Sequence, residues 1–225
     1  MKTRKVAIIL YVISCSLAIL ATVIDNDILK LVSIPTVIPA IYYYYLSTKT
    51  TKINWCFVAV LVLNFIGDTI VLLEIKDQTL IIMIPYLLSY LLLLRFAIQD
   101  VREFRFNVSG LLLCSLIFLF LMYVMYALLE LFDGNNQELI VPIIGYGLIL
   151  GTYGCITVYC YYLKIAAYTF YLLMFALTSI VSDVFYIMFS FIFHIPFLNY
   201  FEFAVQLLSY YFVVKYFVLR RVISH

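Results

Sequence analysis

The sequence predicts an all-α polytopic membrane protein of about eight transmembrane helices. Apolar residues make up 67% of the 225 positions, charged residues only 12%, and the apolar residues gather in eight runs. The runs cover approximately 6–24, 28–46, 53–74, 78–98, 108–132, 138–163, 166–193 and 196–218, each close to the roughly 20 residues that a helix needs to cross the bilayer core. None shows the alternation of a barrel strand, and in lipid the backbone must satisfy its own hydrogen bonds, so helices are the expected form. The joining stretches are short, which predicts one transmembrane domain over 1–225.

The first run follows Lys2, Arg4 and Lys5 and contains Val12-Ile13-Ser14-Cys15, a loose lipoprotein-type cleavage box. Apolar residues continue to Ile24, too far for a short removable segment, so the run is expected to stay as the first span. The second begins near Lys30, carries Pro35 and Pro39 and ends on Tyr42 to Tyr45, read as rings at the headgroup level. The third contains Asn64, Gly67 and Asp68, and the fourth Pro85 and Leu87-Leu88-Ser89-Tyr90. The fifth ends at the acidic residues Glu130 and Asp133. The sixth has Pro142, a Gly147-x-x-x-Gly151 spacing suited to close helix contact, and Tyr159, Tyr161 and Tyr162 at its end, read as part of the same aromatic belt. The seventh follows a turn at Lys164 and contains Ser179, Ser182 and Asp183. The eighth begins after His194 and Pro196 and carries Glu202, Gln206 and Leu207-Leu208-Ser209-Tyr210.

Alternate loops collect very different numbers of basic residues. One side holds Lys2, Arg4, Lys5, Lys49, Lys52, Arg95, Arg102, Arg105, Lys164, Lys215, Arg220 and Arg221; the other holds Lys30 and Lys76. Twelve against two places both termini in the cytoplasm, in a cell membrane. The net charge of +2 is small and the basic residues are scattered, which argues against nucleic acid as a partner. The five cysteines lie in apolar stretches without a CxxC pair, so neither a disulfide framework nor a zinc site is indicated. No metal and no cofactor is expected, and the oligomeric state is open.

Two segments repeat. Asn64-Phe-Ile-Gly67-Asp68 matches Ser179-Ile-Val-Ser182-Asp183, and Leu87-Leu88-Ser89-Tyr90 matches Leu207-Leu208-Ser209-Tyr210. Residues 6–98 and 108–218 thus read as two four-helix units. Four is even, so both copies point the same way through the membrane, as in parallel-repeat transporters. On this reading the third and seventh helices lie near each other.

Asp68 and Asp183 sit inside apolar spans, where a charged side chain costs at least about 2.5 kcal/mol, so a functional role is the first expectation. Asn64 and Ser179 lie one turn earlier on the same helical faces. Glu202 and Gln206 occupy the same half of the bundle, with Lys30 at its edge, and a polar pocket opening on the outer half follows. Asn64, Ser179, Ser182, Glu202, Gln206 and Lys30 are the candidate substrate contacts. The competing reading is that the aspartates only fasten helices together, Asp68 to Asn64 and Asp183 to Ser182 or a tyrosine.

With Gly67-Asp68 in the third span, Ser182-Asp183 in the seventh and Gln206 in the last, the chain resembles the YhhN family of lysoplasmalogenase-like membrane proteins over nearly its whole length. Ile34 stands before Pro35 where the family commonly has Lys, and Ser89-Tyr90 stands where it often has His. The resemblance implies hydrolysis of the vinyl ether bond of a lysoplasmalogen, with Asp68 and Asp183 as catalytic carboxyls and a membrane lysolipid as substrate. Intramembrane carboxylates on parallel repeats also suit a proton-coupled transporter, and a non-catalytic lipid-binding protein is a third class.

Overall fold

The computed structural model describes residues 2–49, 52–73, 78–102, 104, 107–132 and 137–220. Lys76, Asp77, Arg105, Asp133, Arg221 and His225 lie outside the described residues. In chain order the helices are α1 (Lys2–Ile24), α2 (Asp27–Thr48), α3 (Trp55–Leu72), α4 (Gln78–Val101), α5 (Val108–Glu130), α6 (Gln137–Leu163), α7 (Ala167–Ile187) and α8 (Pro196–Leu219). All eight are long and apolar enough to cross a membrane, and the described residues include no strand. The chain is a multi-pass, all-α membrane protein.

Short polar side chains start α2, α3 and α5. Asn26, Asn54 and Asn107 accept hydrogen bonds from the amides of Leu29, Phe57 and Gly110 at 2.9, 3.2 and 3.1 Å, the usual service of an N-cap to otherwise unpaired donors. Asp25 makes the reversal between α1 and α2 at φ 56°. The expected single span 166–193 departs from regularity: α7 gives way to a π-helical segment, Met188–Phe193, which stops at His194 with φ 47° and ψ 29°. Pro196 then opens α8, where a missing amide proton costs nothing.

Neighbouring helix pairs are α1 with α2, α2 with α3, α3 with α4, α5 with α6, α6 with α7, α7 with α8, α4 with α6, α2 with α8 and α1 with α8. Advancing every helix by four carries each of these pairs onto another, except α1 with α8. The same relation holds for side chains. Tyr86 and Gln206, 120 positions apart, meet at 2.8 Å, and Asp100 and Arg220, also 120 apart, meet at 2.8 Å. Residues of α4 therefore face their own counterparts in α8. The expected packing of α3 on α7 is not found among the neighbouring pairs; long side chains of α4 and α8 stand between them.

The tyrosines differ from the expected belt. Tyr43 and Tyr162 are exposed, but Tyr44, Tyr45 and Tyr159 are buried in the bundle. Tyr45 packs on Phe57 with ring centroids 4.5 Å apart, and Tyr159 accepts from the amide of Asn107 at 3.0 Å. Tyr44, Tyr171 and Tyr211 surround Lys215 Nζ at 5.5 to 5.9 Å from their centroids. These rings fill space and satisfy polar groups between helices, where an amphipathic side chain serves as well as at an interface.

Candidate functional site

Asp68 and Asp183 line one cavity of about 460 Å³. Its walls come from the end of α1, the starts of α2, α4, α6 and α8, the ends of α3 and α7, and the π-helical segment. It therefore lies at the end of the bundle opposite the termini. Apolar side chains such as Ile82, Met83 and Phe203 form much of the lining, with Lys30, Thr79, Tyr86, Asn199, Glu202 and Gln206 as polar points. This mixture is typical of ligand sites.

Asp68 is tightly held. Tyr86 donates to Oδ1 at 2.6 Å, Gln206 Nε2 donates to the same oxygen at 2.9 Å, and the Tyr210 hydroxyl lies 2.7 and 2.8 Å from the two oxygens. Gly67 makes room for this: a Cβ at that position would lie 2.7 to 2.9 Å from three ring atoms of Tyr86. The ring lies flat across the α3 backbone because no side chain stands in its way. Gly67→Ala is thus expected to push Tyr86 off Asp68 and to destabilise the protein by about 1–3 kcal/mol, the ordinary cost of overpacking. Thermal melts of Gly67→Ala, Tyr86→Ala and the double variant check it. Equal losses with and without Tyr86 would show that the ring is not what Gly67 accommodates.

Asp183 is held differently. Tyr90 and Tyr146 both donate to Oδ2, at 3.1 and 2.9 Å, and no described residue donates to Oδ1. Tyr90 and Tyr210 are the matched tyrosines of the Leu-Leu-Ser-Tyr repeat, so each aspartate accepts from the tyrosine belonging to the other half of the chain. That exchange ties the halves together at the cavity. The signal was present in the sequence, since the repeat ends on Tyr in both copies, but its partner was not. Tyr86 and Tyr146 carried no such mark.

The other expected contacts divide. Glu202, Gln206 and Lys30 line the cavity. Ser182 donates to Glu202 Oε1 at 3.1 Å and orients it. Lys30 pairs with Asp25 and, at 3.5 Å, with Asp27 at the rim, and Ile34 lines the same wall one turn on. Asn64 and Ser179 lie outside the main cavity, around a void of about 10 Å³ behind it. Asn64 donates to Ser89 at 3.0 Å and to the Val60 carbonyl at 2.8 Å, so its amide joins α3 to α4. Of the expected fastening pairs, Asp68 with Asn64 and Asp183 with Ser182 are not made, whereas Asp183 with a tyrosine is, through Tyr90 and Tyr146. His194 is not part of the cavity lining; its ring contacts Phe189.

Among the described residues, no group of three or more His, Cys, Asp and Glu side chains is placed to hold a metal ion. In comparisons with protein-family models, curated proteins and solved structures, the chain matches none. Two carboxyls with unlike hydrogen bonding face one partly apolar chamber, and a third, Glu202, lies beside them.

Proposed function

We propose that the chain is a membrane-embedded hydrolase that cleaves the vinyl ether bond of a single-chain lysophospholipid, in keeping with its resemblance to the YhhN family. The observation that carries this reading is the placement of Asp68 and Asp183 on one amphiphile-sized cavity. Vinyl ether hydrolysis begins with transfer of a proton to the β-carbon of the alkene, which leaves positive charge shared between the α-carbon and the ether oxygen. Water adds to the α-carbon and loses a proton. The resulting hemiacetal then collapses to a fatty aldehyde and a glycerophospho-alcohol. A positioned acid and a fixed negative charge suit this sequence, as in glycoside hydrolysis, which passes through a similar oxocarbenium-like state.

We assign proton delivery to Asp183, whose Oδ1 no described residue engages. Charge stabilisation falls to Asp68, whose oxygens are fixed by Tyr86, Gln206 and Tyr210. A carboxylate already oriented by its donors reorganises little as charge develops. Lys30 at the rim suits a headgroup phosphate. The test is purified protein against a panel of lysolipids with vinyl ether, alkyl ether and ester linkages. Aldehyde release from the vinyl ether members alone is the expected result. Saturable binding with no aldehyde from any member would replace this reading with a lipid carrier.

We further place the protein in the cell membrane with both termini cytoplasmic, supported by the twelve-to-two distribution of Lys and Arg. The cavity then opens on the outer half of the bilayer. Reporters fused at either terminus are expected to respond as cytoplasmic. A periplasmic or extracellular response at both ends would invert the site.

A further inference from the structure

The cavity does not end at Asp183. A smaller cleft of about 70 Å³ shares Ile143, Tyr146, Asp183 and Ile187 with it and extends along α5, α6 and α7 to Leu121, Leu150 and Ile180. Apart from Tyr146 and Asp183, its lining is Leu, Ile, Val, Met, Phe and Gly. α6 forms the floor, and its glycines make that floor notched. A Cβ at Gly147 would lie 2.7 Å from Met125 Sδ, and one at Gly151 would lie 2.9 Å from Met122 Cε. Two unbranched, adaptable thioether side chains thus occupy the space that the glycines leave.

α5 and α7 each pack on α6, but they are not a neighbouring pair. The cleft therefore opens sideways between them, at membrane depth. Where it joins the cavity, Phe132 beyond α5 packs on Phe191 of the π-helical segment, with centroids 5.0 Å apart and the rings tilted by 31°.

We propose that this cleft holds the alkyl chain of a single-chain amphiphile whose polar end occupies the cavity, and that the chain enters sideways from the bilayer between α5 and α7. The proposal rests on reading the cavity as a lipid site. A partly apolar chamber carrying Lys30, Asn199, Glu202 and Gln206, joined to an elongated apolar cleft at a carboxylate, has the outline of such a molecule, and it sets the bond between headgroup and chain beside Asp183. A chain leaving the bilayer gains no hydrophobic energy in the cleft, since lipid tails are equally apolar. Selection therefore rests on shape: an unbranched chain replaces Met122 and Met125 over the glycine notches, and a second chain finds no room.

Photolabelling of the full-length protein in nanodiscs tests this, with a long-chain lysophosphocholine carrying a diazirine at the chain end. The expected labels fall on the segments of Leu121, Met122 and Leu150. Gly151→Leu drives Met122 into the cleft and lowers that labelling about tenfold, the factor that matches a typical overpacking cost. Met122→Ala widens the cleft and raises labelling. Melting temperature and elution volume confirm that each variant is folded. Labels on the exposed face of α5, at Leu112, Leu116 and Leu119, that neither variant changes would overturn the proposal. Cleft labelling without aldehyde release would keep it and sink the hydrolase reading. Aldehyde release with the chain end labelled elsewhere would sink the cleft alone.

Discussion

Asp68→Asn and Asp183→Asn are each expected to fold and to lose turnover by about 100-fold to 10,000-fold, the usual contribution of a positioned acid or base. Folding should survive because Asn is close to Asp in size and keeps one acceptor oxygen for the tyrosines. The phenols can rotate to accept from the new amide, so the exchange between Tyr210 and Asp68, and between Tyr90 and Asp183, need not break. Inserting a neutral amide into a membrane is also easier than inserting a charge. The two variants should differ in stability. Asp68 is held by Tyr86, Gln206 and Tyr210, and the amide nitrogen of Gln206 cannot accept, so Asp68→Asn risks two amide groups set donor to donor. Asp183 is held by hydroxyls alone, so Asp183→Asn should melt nearer to wild type. Aldehyde release, lysolipid affinity and melting temperature, measured on the same preparations, check the expectation. Variants that melt early while their folded fraction hydrolyses at the wild-type rate would make the aspartates fasteners of the bundle, not its chemistry.

Arg220→Met is expected to cost about 3 kcal/mol of stability, at the lower edge of what breaking a buried ion pair costs. Asp100 is only 4% exposed. It accepts from Arg220 Nε at 2.8 Å and from the Tyr216 hydroxyl at 2.6 Å. The guanidinium also lies 4.8 Å from the centroid of Phe96 and donates to Gln99 at 3.2 Å. Methionine keeps the contact with the ring but leaves the carboxylate of Asp100 with Tyr216 alone. Replacing the whole cluster by Asp100→Leu, Tyr216→Phe and Arg220→Met should restore most of the loss, because no buried polar group is then left without a partner. Denaturant or thermal unfolding in one detergent checks both. A wild-type melting temperature for Arg220→Met would show that water reaches Asp100 at this end of the bundle.

This cluster went unread in the sequence for a physical reason. Asp100 lies near the end of a span, close to Arg102, where a charge is ordinary and solvated. Its burial depends on Arg220, 120 positions away, returning to the same end of the molecule. Asp68 and Asp183 stood out because they interrupt apolar runs inside their spans. Gln206 stood out in the same way, and it does reach Asp68. Asn64 and Ser179 shared the same helical faces, yet they sit behind the cavity and not in it.

The sequence by itself determined the number, length and order of the spans, because the bilayer imposes one length on every apolar run and forbids an unpaired backbone. It also determined which carboxyls are exceptional and that Asp68 and Asp183 occupy matched places. Only the tertiary structure decided which side of each helix meets protein and which meets lipid. In water those sides differ in polarity and the periodicity reveals them; in a membrane both are apolar and the pattern carries no direction. Tyr44, Tyr45 and Tyr159, expected at the interface, are therefore found inside the bundle, while Tyr43 and Tyr162 stay exposed. For the same reason, the donors to Asp68 and Asp183, and the cleft between α5 and α7, emerge only where distant helices meet.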